Sequence, residues 1–196
     1  MTAEHGAAPR DRLAILVGGV GLLVVLTPWL ATQSPTATDL AARLAAPSWD
    51  HLLGRDTLGR DVLARLLHGA RLSFGVAVIT VLTSSTIGIL VGAVAGWVGG
   101  WVDEIVGRVI DVVLAFPGLL LAIAIAAIRG PSLQNVVVAL SVIGWTGYAR
   151  LTRAEVRRHA GREFVAAATA LGAPHWWIVG RHVLPLAAPA LLVQAA

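Results

Sequence analysis

The sequence has no cysteine, no lysine, a single methionine and a single tyrosine, and only 13% of its residues are charged. The missing cysteine excludes a disulfide framework, a thiolate metal site and a cysteine nucleophile. The missing lysine excludes a phosphate-binding loop at Gly54 and Gly59, where Lys and then Ser or Thr would have to follow the last glycine; Arg60 and Asp61 stand there instead. There is no His-Glu-x-x-His helix and no Gly-x-Ser-x-Gly turn. An embedded enzyme would have to draw on His68, His159, His175 and His182, and these have no such frame around them. No catalytic residue, metal site or cofactor is therefore expected, and His175 and His182 read as interfacial side chains rather than metal ligands.

What the chain has in excess is apolar surface: 57% of its 196 residues are hydrophobic and the mean hydropathy is +0.78. A soluble domain of this length carries far less, so most of the chain belongs in lipid. All fifteen basic residues are Arg, and the net charge is +4. In so apolar a chain this excess fixes topology, because loops on the cytoplasmic side are enriched in basic residues. No nucleic-acid partner is expected.

The apolar runs order the chain. Residues 1–12 form a polar tail with Arg10 and Arg12, read as cytoplasmic, and 13–31 form a first transmembrane helix long enough to cross about 30 Å of hydrocarbon. Residues 32–71 form an extracytoplasmic linker and amphipathic segment. In it Leu53-Gly54-Arg55-Asp56 is echoed by Leu58-Gly59-Arg60-Asp61, after which Val62, Leu63, Leu66 and Leu67 make the stripe of a surface-lying helix.

Residues 72–196 form the membrane core. A second span over 72–98 carries Ser84, Gly88, Gly92 and Gly96 at a spacing of four, a stripe that lets another helix approach closely. A short turn with Asp103 and Glu104 leads to a third span over 105–128. There Arg108 and Asp111 stand on one face, to neutralise each other or to pair with neighbours, and Pro117 kinks the helix. A fourth span over 134–148 carries Ser141, Trp145, Thr146 and Tyr148, a polar-aromatic stripe suited to protein or a water-filled path rather than lipid. The dense basic stretch that follows places the loop 150–185 on the cytoplasmic side. The final run, 182–196, stops before it could span, which predicts a fragment, a premature stop or a gene missing its end.

Residues 163–185, EFVAAATALGAPHWWIVGRHVLP, are too polar for another span and read as two short helices with a bend. Phe164, Ala168 and Leu171 share one face. Gly172 supplies the positive φ that ends the first helix, and Pro174 permits the second to start.

Four stretches carry a family resemblance: HLLGRDTLGRDVLARLLHGAR at 51–71, GGWVDEIVGRVIDVVLAFPGLLLAIA at 99–124, GWTGYARLTRAEV at 144–156, and 163–185. Together they resemble the inner-membrane permease subunit of a binding-protein-dependent ABC importer, in the dipeptide, oligopeptide and nickel family, second-permease type. The resemblance implies an all-α polytopic transmembrane bundle with the type I ABC importer permease fold, here incomplete, with about four full spans and the start of a fifth. It also implies that 163–185 is the element coupling the permease to its ATPase. The family pattern there is Glu-Ala-Ala, three residues, Gly, then a hydrophobic-Leu-Pro end. It falls on Ala166, Ala167, Ala168, Gly172, Leu184 and Pro185, with Glu163, Leu171 and Ala173 completing the surface. Ala166 stands where the pattern has Glu, and Glu163, one turn earlier, is the carboxylate that could substitute.

What the resemblance implies functionally is a transport subunit rather than an enzyme, in the bacterial cytoplasmic membrane. Its partners would be a second homologous permease, two cytoplasmic ABC ATPases, an extracytoplasmic substrate-binding protein and membrane lipid. Ser141, Trp145, Thr146 and Tyr148 would face the translocation path. Di- or oligopeptides are the expected cargo, with nickel or another small solute as the alternative, and a membrane-embedded enzyme or passive channel ranked below. Nothing in those four residues selects among the solutes.

Overall fold

The structure, a computed structural model, describes Gly19, Gly21 and residues 33–195. Those two glycines apart, the tail at 1–12 and the first span at 13–31 lie outside the described residues. Among the described residues the fold is all-α. Its helices are α1 (Val62–Val98), α2 (Gly100–Ala115), α3 (Gly118–Arg129), α4 (Leu133–Ala160), α5 (Glu163–Ala170), α6 (His175–Ile178) and α7 (Leu184–Ala195), with a π-helical turn at Val179–Val183. The chain divides into two compact units, Met1–Gly75 and Val76–Ala196.

In the first unit the five-residue echo repeats structural roles. Gly54 and Gly59 both adopt left-handed backbone, at φ 70° and 72°, and a Cβ on Gly59 would stand 1.8 Å from the carbonyl oxygen of Asp39. Both aspartates accept backbone N–H groups. Asp56 Oδ1 takes those of Leu58 at 2.8 Å and Arg60 at 3.0 Å, and Asp61 Oδ1 takes that of Ala64 at 2.6 Å, satisfying a donor in the first turn of α1. Arg60 and Arg65 donate to the second oxygen of Asp56. Arg55 donates to Asp39 at 2.7 Å and to His51 Nε2 at 2.7 Å. A guanidinium accepts nothing, so His51 carries its hydrogen on Nδ1 and donates it to Asp61 at 2.8 Å.

The surface-lying helix expected to precede the second span is instead the opening of α1 itself. Asp61 caps it, and no proline or paired glycine intervenes before Gly99-Gly100. The helix therefore runs unbroken for 37 residues, about 55 Å.

In the second unit the small-residue stripe of α1 lies directly on the backbone of α4. A Cβ on Gly88 would meet the Trp145 carbonyl oxygen at 2.5 Å, one on Gly92 that of Ala149 at 2.4 Å, and one on Gly96 that of Arg153 at 2.7 Å. Ser84 continues the row against Gly144. These positions are glycine because the neighbouring helix occupies the space a side chain would need.

The third span is not a kinked helix but two helices bent by 82°. Phe116 is extended at φ −85°, ψ 130°, as the residue before a proline favours, and Pro117 has no N–H to carry the ladder across. The short turn before it shrinks to Gly99, and Asp103 and Glu104 lie in the first turns of α2. Arg108 pairs with Glu104 at 2.6 Å rather than with Asp111; Glu before Arg at i,i+4 is the favourable arrangement on a helix.

α4 also differs from expectation. Its 28 residues unite the fourth span with the first part of the basic loop. Ala, Leu, Arg and Glu all favour helix, and no proline or glycine stops it between Tyr148 and Gly161. Val62–Val98 and His175–Ala195 are the helical runs long and apolar enough to cross a membrane, with α2 and α3 a third if the bent pair is one span. The final run is thus not the stub expected from 182 onward, since it gains a full turn and more from α6 and the π turn.

Candidate functional site

The stretch 163–185 folds as α5, a glycine bend, α6 and the π turn leading into α7. Four alanines make α5 a ready helix, and Glu163 in its first turn complements the positive end of the helix dipole. Its C-terminus closes on Gly172, at φ 80°. The N–H of Ala173 donates to the carbonyl of Ala168 at 3.1 Å, and that of Gly172 to Thr169 at 2.9 Å. This pair of bonds is the Schellman closure, and Ala173 and Ala168 pack against the same core as its usual apolar companion. Pro174 then caps α6, its carbonyl accepting from Trp177 and Ile178 at 3.0 and 3.2 Å.

Beyond Ile178 the helix widens. The N–H of Leu184 reaches back five residues to the carbonyl of Val179, the mark of a π turn. The widening lies directly before Pro185, whose ring displaces the carbonyl four residues earlier and whose nitrogen carries no donor. From Leu184 the chain continues as α7 without a break.

This element is rooted in the bundle. Val165, Ile178 and Val183 are buried with Val156 of α4 and Ala93 of α1, and Trp97, Phe164, Ala168, Val179 and Leu184 pack around them. The His175 ring stands edge-on to Trp97 at 5.5 Å, and the His182 ring edge-on to Trp177 at 4.8 Å and Phe164 at 6.3 Å. Of the face expected to project, Phe164 and Ala168 point inward while Leu171 is 89% exposed. The outward surface is Glu163, Ala166, Ala167, Leu171 and Gly172, with Ala173 and Leu184 half-buried and Pro185 exposed. Between α5 and the π turn lies a groove of about 810 Å³. Phe164, Ala167, Leu171, Trp177, His182 and Pro185 line it.

The polar-aromatic stripe of α4 is divided by the fold. Ser141 and Trp145 share a cleft of about 360 Å³ with Thr83, Ile87 and Val138. Ser141 is buried, and its hydroxyl finds no partner among the described residues. Thr146 turns its hydroxyl to the carbonyl of Ile143 at 2.7 Å, and Tyr148 is buried against Ala187 and Leu191 of α7.

One group was not singled out from sequence. Asp103 of α2 accepts from Arg153 through both oxygens and from Arg157 at 2.8 Å. The partners lie 50 and 54 residues apart, and only the register of Gly96 on Arg153 could have signalled that the end of α1, the start of α2 and the end of α4 meet.

Known proteins resemble the chain over nearly all its length. It is 37% identical over 183 residues to a probable D,D-dipeptide transport system permease protein of Escherichia coli, covering 93% of this chain and 61% of that protein. It is 38% identical over 190 residues to a dipeptide transport system permease protein of Alkalihalophilus pseudofirmus, covering 95% and 62%. It is 37% identical over 185 residues to a nickel transport system permease protein of Escherichia coli, covering 94% and 67%. The chain thus spans about three fifths of the length of the first two relatives. Residues 88–196, which hold the glycine stripe, the broken α2–α3 pair and the whole rooted element, match the family described as binding-protein-dependent transport system inner membrane component. The chain belongs to that family of membrane components.

Proposed function

We propose that the chain acts as the transmembrane permease subunit of an ATP-driven importer, moving di- or oligopeptides across the bacterial cytoplasmic membrane while partner ATPases hydrolyse ATP. A second permease, two ATPases and an extracytoplasmic binding protein complete the assembly, and the N-terminus lies in the cytoplasm. The peptide relatives support the cargo, and the nickel relative, matched over 94% of this chain, keeps nickel as a second reading.

The observation that carries the reading is the construction of α5. Its outer face is small and bare, with Leu171 at the tip, while Val165 roots it in the core shared with α4 and α1. Such a knob suits an apolar groove on a soluble partner. Movement of the partner would displace α5, and Val165, Ile178 and Val183 would pass the displacement to Val156 of α4. Along α4 that path leads to Ser141 and Trp145, the side chains best placed to meet a solute.

The test is co-expression with the partner ATPases and binding protein, reconstitution in liposomes, and measurement of ATP hydrolysis and uptake of labelled dipeptide or nickel. Leu171→Asp should leave helix content unchanged and cut binding-protein-stimulated hydrolysis at least tenfold. Undiminished stimulation would sink the coupling role, and nickel uptake without peptide uptake would reassign the cargo.

A further inference from the structure

Arg150, Arg153 and Arg157 lie at i, i+3 and i+7 on α4 and, with Ala154, line a cleft of about 390 Å³. The carboxylate that bonds them is Asp103, which holds Arg153 by two of its nitrogens and Arg157 by one. Asp111, farther along α2, is the other acid whose charge bears on Arg153. The neighbouring acids are engaged elsewhere: Glu155 faces Arg158 at 3.7 Å and His159 at 3.5 Å, and Glu104 holds Arg108. Among the described residues, three guanidinium groups therefore face two carboxylates. The excess donors belong to Arg150, which is exposed, and Arg157, whose side chain is 57% exposed.

The cleft also has a built wall and a defined depth. Arg153 lies flat against α2 where Gly107 leaves room, since a Cβ there would stand 2.9 Å from its Nη1. The contact of Gly96 with the Arg153 backbone sets this part of α4 level with the last turn of α1, next to Trp97 in the chain. Trp101 is 72% exposed, and exposed Ile105, Val109 and Val112 continue along α2. Tryptophan at the end of a membrane helix marks headgroup depth. Fixed positive charge at headgroup depth suits one ligand chemistry.

We propose that this cleft binds the phosphate oxyanion of an anionic phospholipid headgroup. Arg150 and Arg157 present planar forks to the phosphate oxygens, and Arg153, clamped by Asp103, forms the charged floor. The inference is independent of what the chain transports.

The chain purified in neutral detergent can be titrated with phosphatidylglycerol, with phosphatidylcholine and, in a separate arm, with inorganic phosphate, and bound ligand counted by native mass spectrometry. Phosphatidylglycerol should bind selectively. Arg150→Gln and Arg157→Gln should each weaken it about fivefold, the contribution of one basic residue at an anionic surface, with Arg150→Lys falling between. Arg158→Gln, outside the cleft, should change nothing, and circular dichroism should report the same helix content for all four. Equal retention of the two lipids, or equal loss from Arg158→Gln, overturns the site. Inorganic phosphate binding as tightly as the lipid overturns the headgroup as its source.

Discussion

Four N–H donors converge on Asp56: the backbone groups of Leu58 and Arg60 and the guanidinium groups of Arg60 and Arg65. Desolvation works to raise the pKa of this carboxyl, but the backbone bonds of Arg60 and Leu58 and then the two arginine side chains outweigh it, leaving it well below the usual carboxylate range. A depressed folded value means that the stabilisation is complete above the ordinary value of 3.8 and is lost as pH falls below it. Amide exchange at Leu58 and Arg60, corrected for intrinsic rates, should thus show full protection from pH 7 to about 5 and declining protection at lower pH. Asp56→Asn should lack that protection throughout, and a variant that retains it would refute the role. Asp103 poses a different case, because removing it leaves Arg153 partly buried without its partner. Asp103→Asn should cost about 2–3 kcal/mol in chemical denaturation, less than a fully buried pair because Arg157 is more than half exposed. Arg108→Gln, breaking an exposed pair, should fall within about 0.5 kcal/mol of the parent.

Among the elements, the packing of α1 on α4 rests on empty positions. Gly92→Val would drive a side chain into the carbonyl of Ala149, and about 1–3 kcal/mol of destabilisation is expected. Gly69→Ala, on the same helix with nothing within 4 Å among the described residues, should be neutral or stabilising by up to about 1 kcal/mol. Thermal unfolding in detergent distinguishes them, and equal effects would show that the stripe is not a contact. This stripe was legible in the sequence because four small residues at a fixed spacing are a local pattern. The Gly172 bend was legible for the same reason, since Gly followed two residues later by Pro is local punctuation. The 82° break was only half so. Pro117 announces a lost hydrogen bond, but the angle depends on what α3 packs against, and α4 begins 16 residues beyond the proline. Asp103 escaped notice because its partners come from a distant segment, and the inward turn of Phe164 because helical spacing groups residues on a face without saying which way it looks.

For the whole molecule, the family pattern was readable over most of the chain, and its departure at Ala166 becomes a prediction. Ala166 is exposed on the outward face of α5, one turn from Glu163. Ala166→Glu should add an exposed carboxylate and raise the affinity for the proposed ATPase partner about two- to fivefold, the scale of one exposed ion pair. Glu163→Gln should lower it similarly. Pull-down titrations at two salt concentrations would check both, since a salt-independent change would show that charge is not the cause. The direct contact of α1 and α4 backbones has a mechanical consequence. With almost no layer of side chains to shear between them, the paired helices form a stiff push rod. From Val156 to Ser141 that rod is about 22 Å long, and under the proposed coupling a small shove at one end would arrive at the other as travel.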